Sequence, residues 1–395
     1  MNLFKIQLFI AALLISVSGI EAQDFKDGKY AKEIPAGTYS LDKKYEVEEI
    51  TDYKGDKTTA KNIILLIGDG MGISHVFAAI TANNGNAYFE KFYNIGFSKT
   101  QSADKFNTDS AAGGTAIATG EKTNKGAIGV DTEGKTAETI LEIADKNGKY
   151  TGMVAASSIT HATPASFIAH QPSRRMYEEI AKDFLNTDIE IFIGGGMDNF
   201  KSREDGVDLI KKLEEKGYTV LESLENIEKY NGNKLAGLIY PKHPGKYSDR
   251  GEMLVPATKK SIDLLNKSEN GFFLMVEGSQ IDWAAHDNNT KDLLDEMAEF
   301  DRAVGEALKF AEKDGNTLVI VTADHETGGL SVNGGNSEEG YVEGKYTSKS
   351  HTGMMVPVFA YGPGAEQFKG IYDNTELFYK MMKAFGFSPV ELVNK

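Results

Sequence analysis

The sequence predicts an α/β fold, with a mostly parallel central sheet and helices on both faces. Short continuous apolar runs recur along the chain, and helical patterns separate them. Asp69, Glu277 and Asp324 sit at or just after the ends of such runs, where ligands gather in parallel sheets.

Met1 to Ala22 places Lys5 ahead of the apolar run Leu8 to Val17 and closes on small or polar residues, the pattern of a secretory signal peptide. The alternative is a membrane anchor, but the run is shorter than the roughly 20 apolar residues that span a bilayer. A periplasmic or extracellular protein without a membrane span is therefore expected. Residues 23–61 are polar, charged and weakly patterned, an N-terminal lead-in that wraps the surface or stays loose. From 62 to 395 the pattern fits one large domain with insertions.

Within that domain, Asn62 to Ile67 reads as a buried strand opening into the turn Gly68-Asp69-Gly70-Met71-Gly72. Similar strands are expected at Gly152 to Ala155, Ile189 to Ile193, Phe272 to Val276, Leu318 to Val321 and Val356 to Tyr361. Helices are expected over Thr136 to Lys146 and Lys291 to Glu312. Residues 328–349, rich in Gly, Ser, Asn and Glu, read as a short surface insertion. Gly194-Gly195-Gly196 lacks the Lys and hydroxyl of a P-loop and reads as a tight turn.

Composition narrows the function. Over 395 residues, 41% hydrophobic and 26% charged residues match an ordinary globular protein with a large core. A net charge of -15 argues against a nucleic-acid partner, which needs a basic face. The absence of cysteine excludes disulfides, thiolate metal sites, cysteine nucleophiles and lipoprotein anchoring. Any metal must be held by His, Asp, Glu and hydroxyl ligands.

Four stretches carry candidate chemistry. Asp109-Ser110-Ala111 precedes small residues that open a helix, placing the Ser110 hydroxyl at a positive helix end; a plain cap by Thr108 or Asp109 is the bland reading. Between Glu277 and His286, Asp282 and His286 are four apart, so one helical turn puts them on a common face; a capped, solvated helix start is the alternative. Asp324-His325 ends a strand and His351 leads into another, good oxygen and nitrogen ligands for zinc, though a lone His is more often structural. His161-Ala162-Thr163-Pro164 precedes Arg174-Arg175; a guanidinium fork fits two phosphate oxygens, while paired arginines are ordinarily a solvated face. His75 and His243 read as surface residues and His170 as packed near the arginines.

Taken together and in order, these stretches resemble the alkaline phosphatase family from about Asn62 to about Gly364. The matching motifs are Asp-Gly-Met-Gly at Asp69, Thr-Asp-Ser-Ala-Ala at Ser110, His-Ala-Thr-Pro at Thr163, the Glu277 to His286 block, Asp-His-Glu-Thr-Gly-Gly at Asp324, and His-Thr-Gly at His351. The resemblance implies an alkaline-phosphatase-like catalytic domain over 62–395. It implies one zinc on Asp282, His286 and His351, a second on Asp69, Asp324, His325 and Ser110, and a magnesium on Asp69, Glu277 and Thr163. Arg174 matches the family's substrate clamp, and Asp109 the acid that orients it. The implied reaction is hydrolysis of phosphate monoesters through a phosphoserine at Ser110, releasing inorganic phosphate.

Two positions depart from the best-known bacterial pattern: His161 stands where an aspartate occurs and Trp283 where a lysine occurs. His161 then acts through a bound water or favours another third-site metal. The insertion before His351 is short for the family, and a homodimer stays possible. A phosphodiesterase or sulfatase on the same scaffold is the rival enzyme reading. Arg174 favours monoesters, and no Pro and Arg sulfatase signature surrounds Ser110. A non-catalytic metal or phosphate binder needs none of the Ser110, Asp109 and Arg174 set.

Overall fold

The computed structural model describes residues 37–387. The expected signal peptide, residues 23–36 of the lead-in and the tail from 388 lie outside the described residues. In chain order the strands are β1 (Gly37–Ser40), β2 (Asn62–Gly68), β3 (Asn94–Lys99), β4 (Tyr150–Ser158), β5 (Ile191–Gly195), β6 (Thr219–Leu221), β7 (Leu235–Tyr240) and β8 (Phe272–Gly278). They continue with β9 (Thr317–Thr322), β10 (Glu326–Thr327), β11 (Leu330–Asn336), β12 (Tyr341–Tyr346), β13 (His351–Thr352), β14 (Val356–Tyr361) and β15 (Gly370–Asp373).

Ten of these form one sheet in the order β15-β3-β14-β9-β2-β8-β4-β5-β7-β6. Only β14 runs against the rest, pairing antiparallel with β9 and β3, while the other ladders are parallel. The mostly parallel expectation holds.

Why the strands read as unbroken apolar runs is visible in β2. Ile64 and Leu66 enter one core layer, and Ile63, Leu65 and Ile67 the other. Both faces are covered, so the side chains cannot alternate with polar ones. The helix Thr290–Asp314 covers one face with Leu293, Met297, Phe300, Val304 and Leu308. The helices Ile140–Lys146 and Thr375–Phe385 cover the other. The first of these starts at Ile140 rather than Thr136, because Thr139 caps it in a box with Glu142.

Residues 41–61 lie along the domain. Tyr45 donates its hydroxyl to Asp301 at 2.7 Å, and the Thr51 N–H reaches Glu312 at 2.6 Å. The 328–349 segment is also more ordered than a surface loop. Strands β11 and β12 form an antiparallel hairpin, with β1 beside β12, and its Leu330 and Val342 are buried in the core. Ser331, Asn333 and Gly335 sit on the exposed half of the β11 alternation, while the inward half mixes Leu330, Val332 and Val342 with glycines such as the buried Gly344, which hid the hairpin's buried side.

Candidate active site

Strand direction gathers the site. The carboxyl ends of β2, β8 and β9 point the same way, so Asp69, Glu277 and Asp324 converge there. Because β14 is antiparallel, its amino end lies on that same side, and His351 just before it arrives from the opposite chain direction. The helix Gln280–His286 starts directly after β8 and turns Asp282 and His286 onto one face.

Ser110 is the first residue of the helix Ser110–Thr119. Asp109 caps that helix through Oδ1, which accepts from Ala112 N at 3.2 Å and Gly126 N at 3.0 Å, while its Oδ2 takes Arg174 Nη1 at 3.0 Å. The cap and the arginine anchor are therefore one side chain. The helix comes close enough because residue 113 is glycine: a Cβ there would meet the Asp324 carbonyl oxygen at 2.7 Å. Gly70, at φ +74, plays the matching part beside Asp282.

Three groups of ligand-type side chains stand side by side: Asp69, Asp324 and His325; Asp282, His286 and His351; and Asp69, His161 and Glu277. In the first, Ser110 Oγ lies 3.4 Å from both Asp69 Oδ1 and His325 Nε2. His325 Nε2 is 3.4 Å from Asp69 Oδ1 and 3.4 Å from Asp324 Oδ2. In the second, His286 Nε2 is 3.4 Å from Asp282 Oδ2 and 3.1 Å from His351 Nε2, which is 3.6 Å from Asp282 Oδ1.

These separations test whether a metal fits. A tetrahedral zinc with ligand bonds of about 2.0–2.2 Å holds its ligand atoms roughly 3.3–3.6 Å apart, close to the spacings here. Donor atoms are also left over: Asp69 Oδ2, Asp324 Oδ2, Glu277 Oε1 and Thr163 Oγ1 are buried with no hydrogen-bond partner among the described residues. The residues fit divalent ions.

The surrounding contacts aim the ligands. His286 Nδ1 lies 2.7 Å from Lys349 O and His351 Nδ1 lies 2.8 Å from Thr108 O, so each ring donates from Nδ1 and turns the Nε2 lone pair to the site. Thr327, which no spacing in the sequence marks, donates its hydroxyl to Asp282 Oδ1 at 2.5 Å and accepts from His325 Nδ1 at 3.2 Å, linking the two groups. Ser157 and Ser279 likewise hold Glu277 Oε2. Asp324 Oδ1 accepts from Gly70 N and His325 N, which leaves Oδ2 for the site.

Arg174 Nη2 contacts His161 Nε2 at 3.2 Å. Arginine only donates, so Nε2 accepts and the neutral ring carries its proton on Nδ1. That buried atom has no partner among the described residues. His75 is not a surface residue. It is fully buried in the first turn of Ile73–Ala82 and accepts from Gly72 N at 2.9 Å. His170 is pinned to Gly129 and Glu142 rather than to the arginines.

Without a cation the cluster is electrostatically costly. Burial first, then neighbouring carboxylates, raise Asp69 well above the carboxylate range and push Asp324 up to about 7, while burial alone, against the hydrogen bonds of its serine neighbours, pushes Glu277 up to about 7. Burial opposes ionisation of Asp282 as well, but the His286 hydrogen bond and the imidazoles around it hold that carboxyl below its usual range. The same contact, against burial, lifts His286 to about 9. Groups whose folded pKa is raised stabilise the fold most below their unfolded pKa and lose that contribution as pH rises through the folded value. Burial depresses the imidazoles of His161, His325 and His351, which oppose this trend below about pH 6.5, so metal-stripped protein is expected to melt roughly 3–6 °C lower at pH 9 than at pH 7, and zinc should remove most of the slope. Calorimetry across that range, with and without zinc, checks it; a flat or rising curve for stripped protein contradicts the assignment.

The family sequence model for alkaline phosphatase matches residues 60–344 and 341–387. This chain belongs to the alkaline phosphatase family. It is 33% identical over 439 residues to alkaline phosphatase 4 of Bacillus subtilis, covering 89% of this chain and 95% of that one. It is also similar to the solved alkaline phosphatase of the Antarctic bacterium TAB5, at 41% identity and a TM-score of 0.79, over 84% of this chain and 100% of that one. A TAB5 variant with aspartate in place of one histidine was solved with magnesium bound in its M3 site; it is 40% identical at a TM-score of 0.79, with the same coverage. The chain is an enzyme, a phosphoric monoester hydrolase with an alkaline phosphatase fold and metal-binding residue groups at the site. Among the described residues no helix is long and apolar enough to cross a membrane.

Proposed function

We propose that the chain hydrolyses phosphate monoesters by passing the phosphoryl group to Ser110 and then to water. The observation that carries this reading is the Ser110 hydroxyl, 3.4 Å from Asp69 Oδ1 and His325 Nε2 at the start of a helix. A serine hydroxyl is a weak nucleophile until its proton is drawn off. Two zinc ions and one magnesium, when bound, would acidify that hydroxyl and an attacking water, and take up charge on the departing oxygen.

Asp69, Asp324 and His325 would hold the ion beside Ser110, Asp282, His286 and His351 the second zinc, and Asp69, Glu277 and Thr163 the magnesium. Asp69 suits two sites at once, since its Oδ1 faces Ser110 and His325 while its Oδ2 has no hydrogen-bond partner among the described residues. Ser110 Oγ forms the bond to phosphorus as the ester oxygen leaves and gains a proton, and water then replaces Oγ, releasing inorganic phosphate. The helix N-terminus favours the negative phosphoryl group. The proton on His161 Nδ1 favours a role through bound water at the third site, because direct ligation there would displace Arg174 from Nε2.

Arg174 is held by Asp109, the residue before Ser110, and by His161, supplying positive charge that the acidic surface lacks. The fork suits the unesterified oxygens of a monoester. Arg174→Ala is expected to raise both KM and the inhibition constant of inorganic phosphate roughly 10- to 100-fold, the scale of a lost charge-assisted contact. Steady-state kinetics with a chromogenic monoester checks this; unchanged constants contradict the clamp. Comparing monoester, diester and sulfate ester turnover separates the rival hydrolases, and tight phosphate binding without turnover would favour a binding protein.

The apolar leader supports export to the periplasm or medium, which cell fractionation tests. A homodimer is supported by the exposed Ile73 and Phe77, one helical turn apart, and by Met354 and Met355, which line a cleft of about 230 Å³ with Ile73. Sedimentation of the purified chain decides between dimer and monomer.

A further inference from the structure

His243 stands in the turn after β7 and is exposed, as expected, yet its ring is held beside His161, one of the supports of Arg174. Ser158 N donates to His243 Nδ1 at 3.1 Å, which leaves the ring proton on Nε2 and sets the ring's angle. The turn itself is tied to the helix that carries Asp282, because Gln280 Nε2 donates to the carbonyls of Pro244 and Gly245 at 2.9 Å each.

From that position the His243 ring meets Trp283 at 5.0 Å between centroids and 87°, and His161 at 5.4 Å and 89°. Trp283 and His161 meet at 5.7 Å and 85°, so the three rings brace one another edge to face. Tyr177 meets the His243 ring at 6.3 Å and 75°. His161 is in turn one of the two groups that hold Arg174, the other being Asp109.

Resting on the reading of Arg174 as the phosphate clamp, we propose that His243 is a positioning residue for phosphate binding, its ring bracing Trp283 and His161 so that Arg174 keeps its second support. Removing the ring lets His161 turn, and Arg174 is then fixed by Asp109 alone. The loss falls on binding and not on the chemical step, because the contact of His243 with the ligand-type groups runs through the ring of His161, and not through Ser110, Asp324 or His325.

The test uses the metal-loaded full chain with inorganic phosphate as the probe. His243→Ala and His243→Asn are expected to raise KM and the phosphate inhibition constant about three- to tenfold, the scale of lost aromatic pairing, with kcat within about twofold. Asn keeps an acceptor for Ser158 N but lacks the ring. His243→Phe keeps the ring and should recover most of the affinity. On a Trp283→Ala background His243→Ala should add little, since the brace is already gone. Equal melting temperatures across the set show that the fold is intact.

Wild-type phosphate affinity in His243→Ala, recovery by Asn as complete as by Phe, or fully additive losses with Trp283→Ala would each overturn the proposal. Arg174→Ala, measured alongside, separates the two readings. If it leaves phosphate affinity unchanged, the clamp reading fails. If it weakens phosphate strongly while His243→Ala is silent, only the role of His243 fails.

Discussion

Ser110→Ala is expected to lower kcat for a phosphate monoester by roughly 10⁴-fold or more, on the scale seen when a covalent nucleophile is deleted. The hydroxyl is the only group at the start of its helix that faces Asp69 and His325 together, and Ala111 and Ala112 behind it offer no substitute oxygen. The fold should survive, because Asp109 supplies the helix cap and alanine is a good helix former. Acid quenching of the wild-type enzyme during turnover of a labelled monoester should trap phosphate on Ser110, and Ser110→Ala should trap none. Turnover near the wild-type rate in that variant would remove the phosphoserine from the mechanism.

Stripping the metal is expected to have an effect of similar size. A chelator should abolish turnover, and zinc with magnesium should restore it. The reason lies in what the protein leaves unpaired: Asp69 Oδ2, Asp324 Oδ2 and Glu277 Oε1 are buried acceptors without donors among the described residues. Arg174 is the arginine beside the site, and its guanidinium is already shared with Asp109, so it alone does not neutralise a phosphate dianion there. Retained activity in a fully stripped preparation, verified by elemental analysis, would contradict the metal-dependent reading.

Much of the fold was legible because buried parallel strands must be apolar on both faces. β2, β8 and β9 announced themselves for that reason, and the acids at their ends gave the site. β3 did not, since its buried side is made of Gly96 and Ser98 while Ile95 on the other side is exposed. β6 is only three residues long, and β15 is an edge strand with exposed side chains. β7 carries an apolar run of the same kind as β2, so its signal is present in the sequence.

The site shows the same division. Carboxylates and imidazoles were legible as ligands because few other uses place them after strands. The hydroxyls that aim them were not: Thr327, Ser157 and Ser279 are residues with no distinctive spacing, and their roles come from contacts such as Thr327 with Asp282, 45 residues away. His243 is the extreme case, an isolated histidine whose anchor, Ser158, lies 85 residues earlier. His75 had a faint signal, being the third residue of a helix after a glycine turn, where a side chain can reach back to the cap.

The measurement that bears most directly on all of this is anomalous diffraction from crystals grown with zinc and magnesium. Density for zinc is expected within the Asp69, Asp324 and His325 group and within the Asp282, His286 and His351 group, with Ser110 Oγ in contact with the first. Zinc found only elsewhere on the chain, or a first group left empty with Ser110 turned away, would contradict the account.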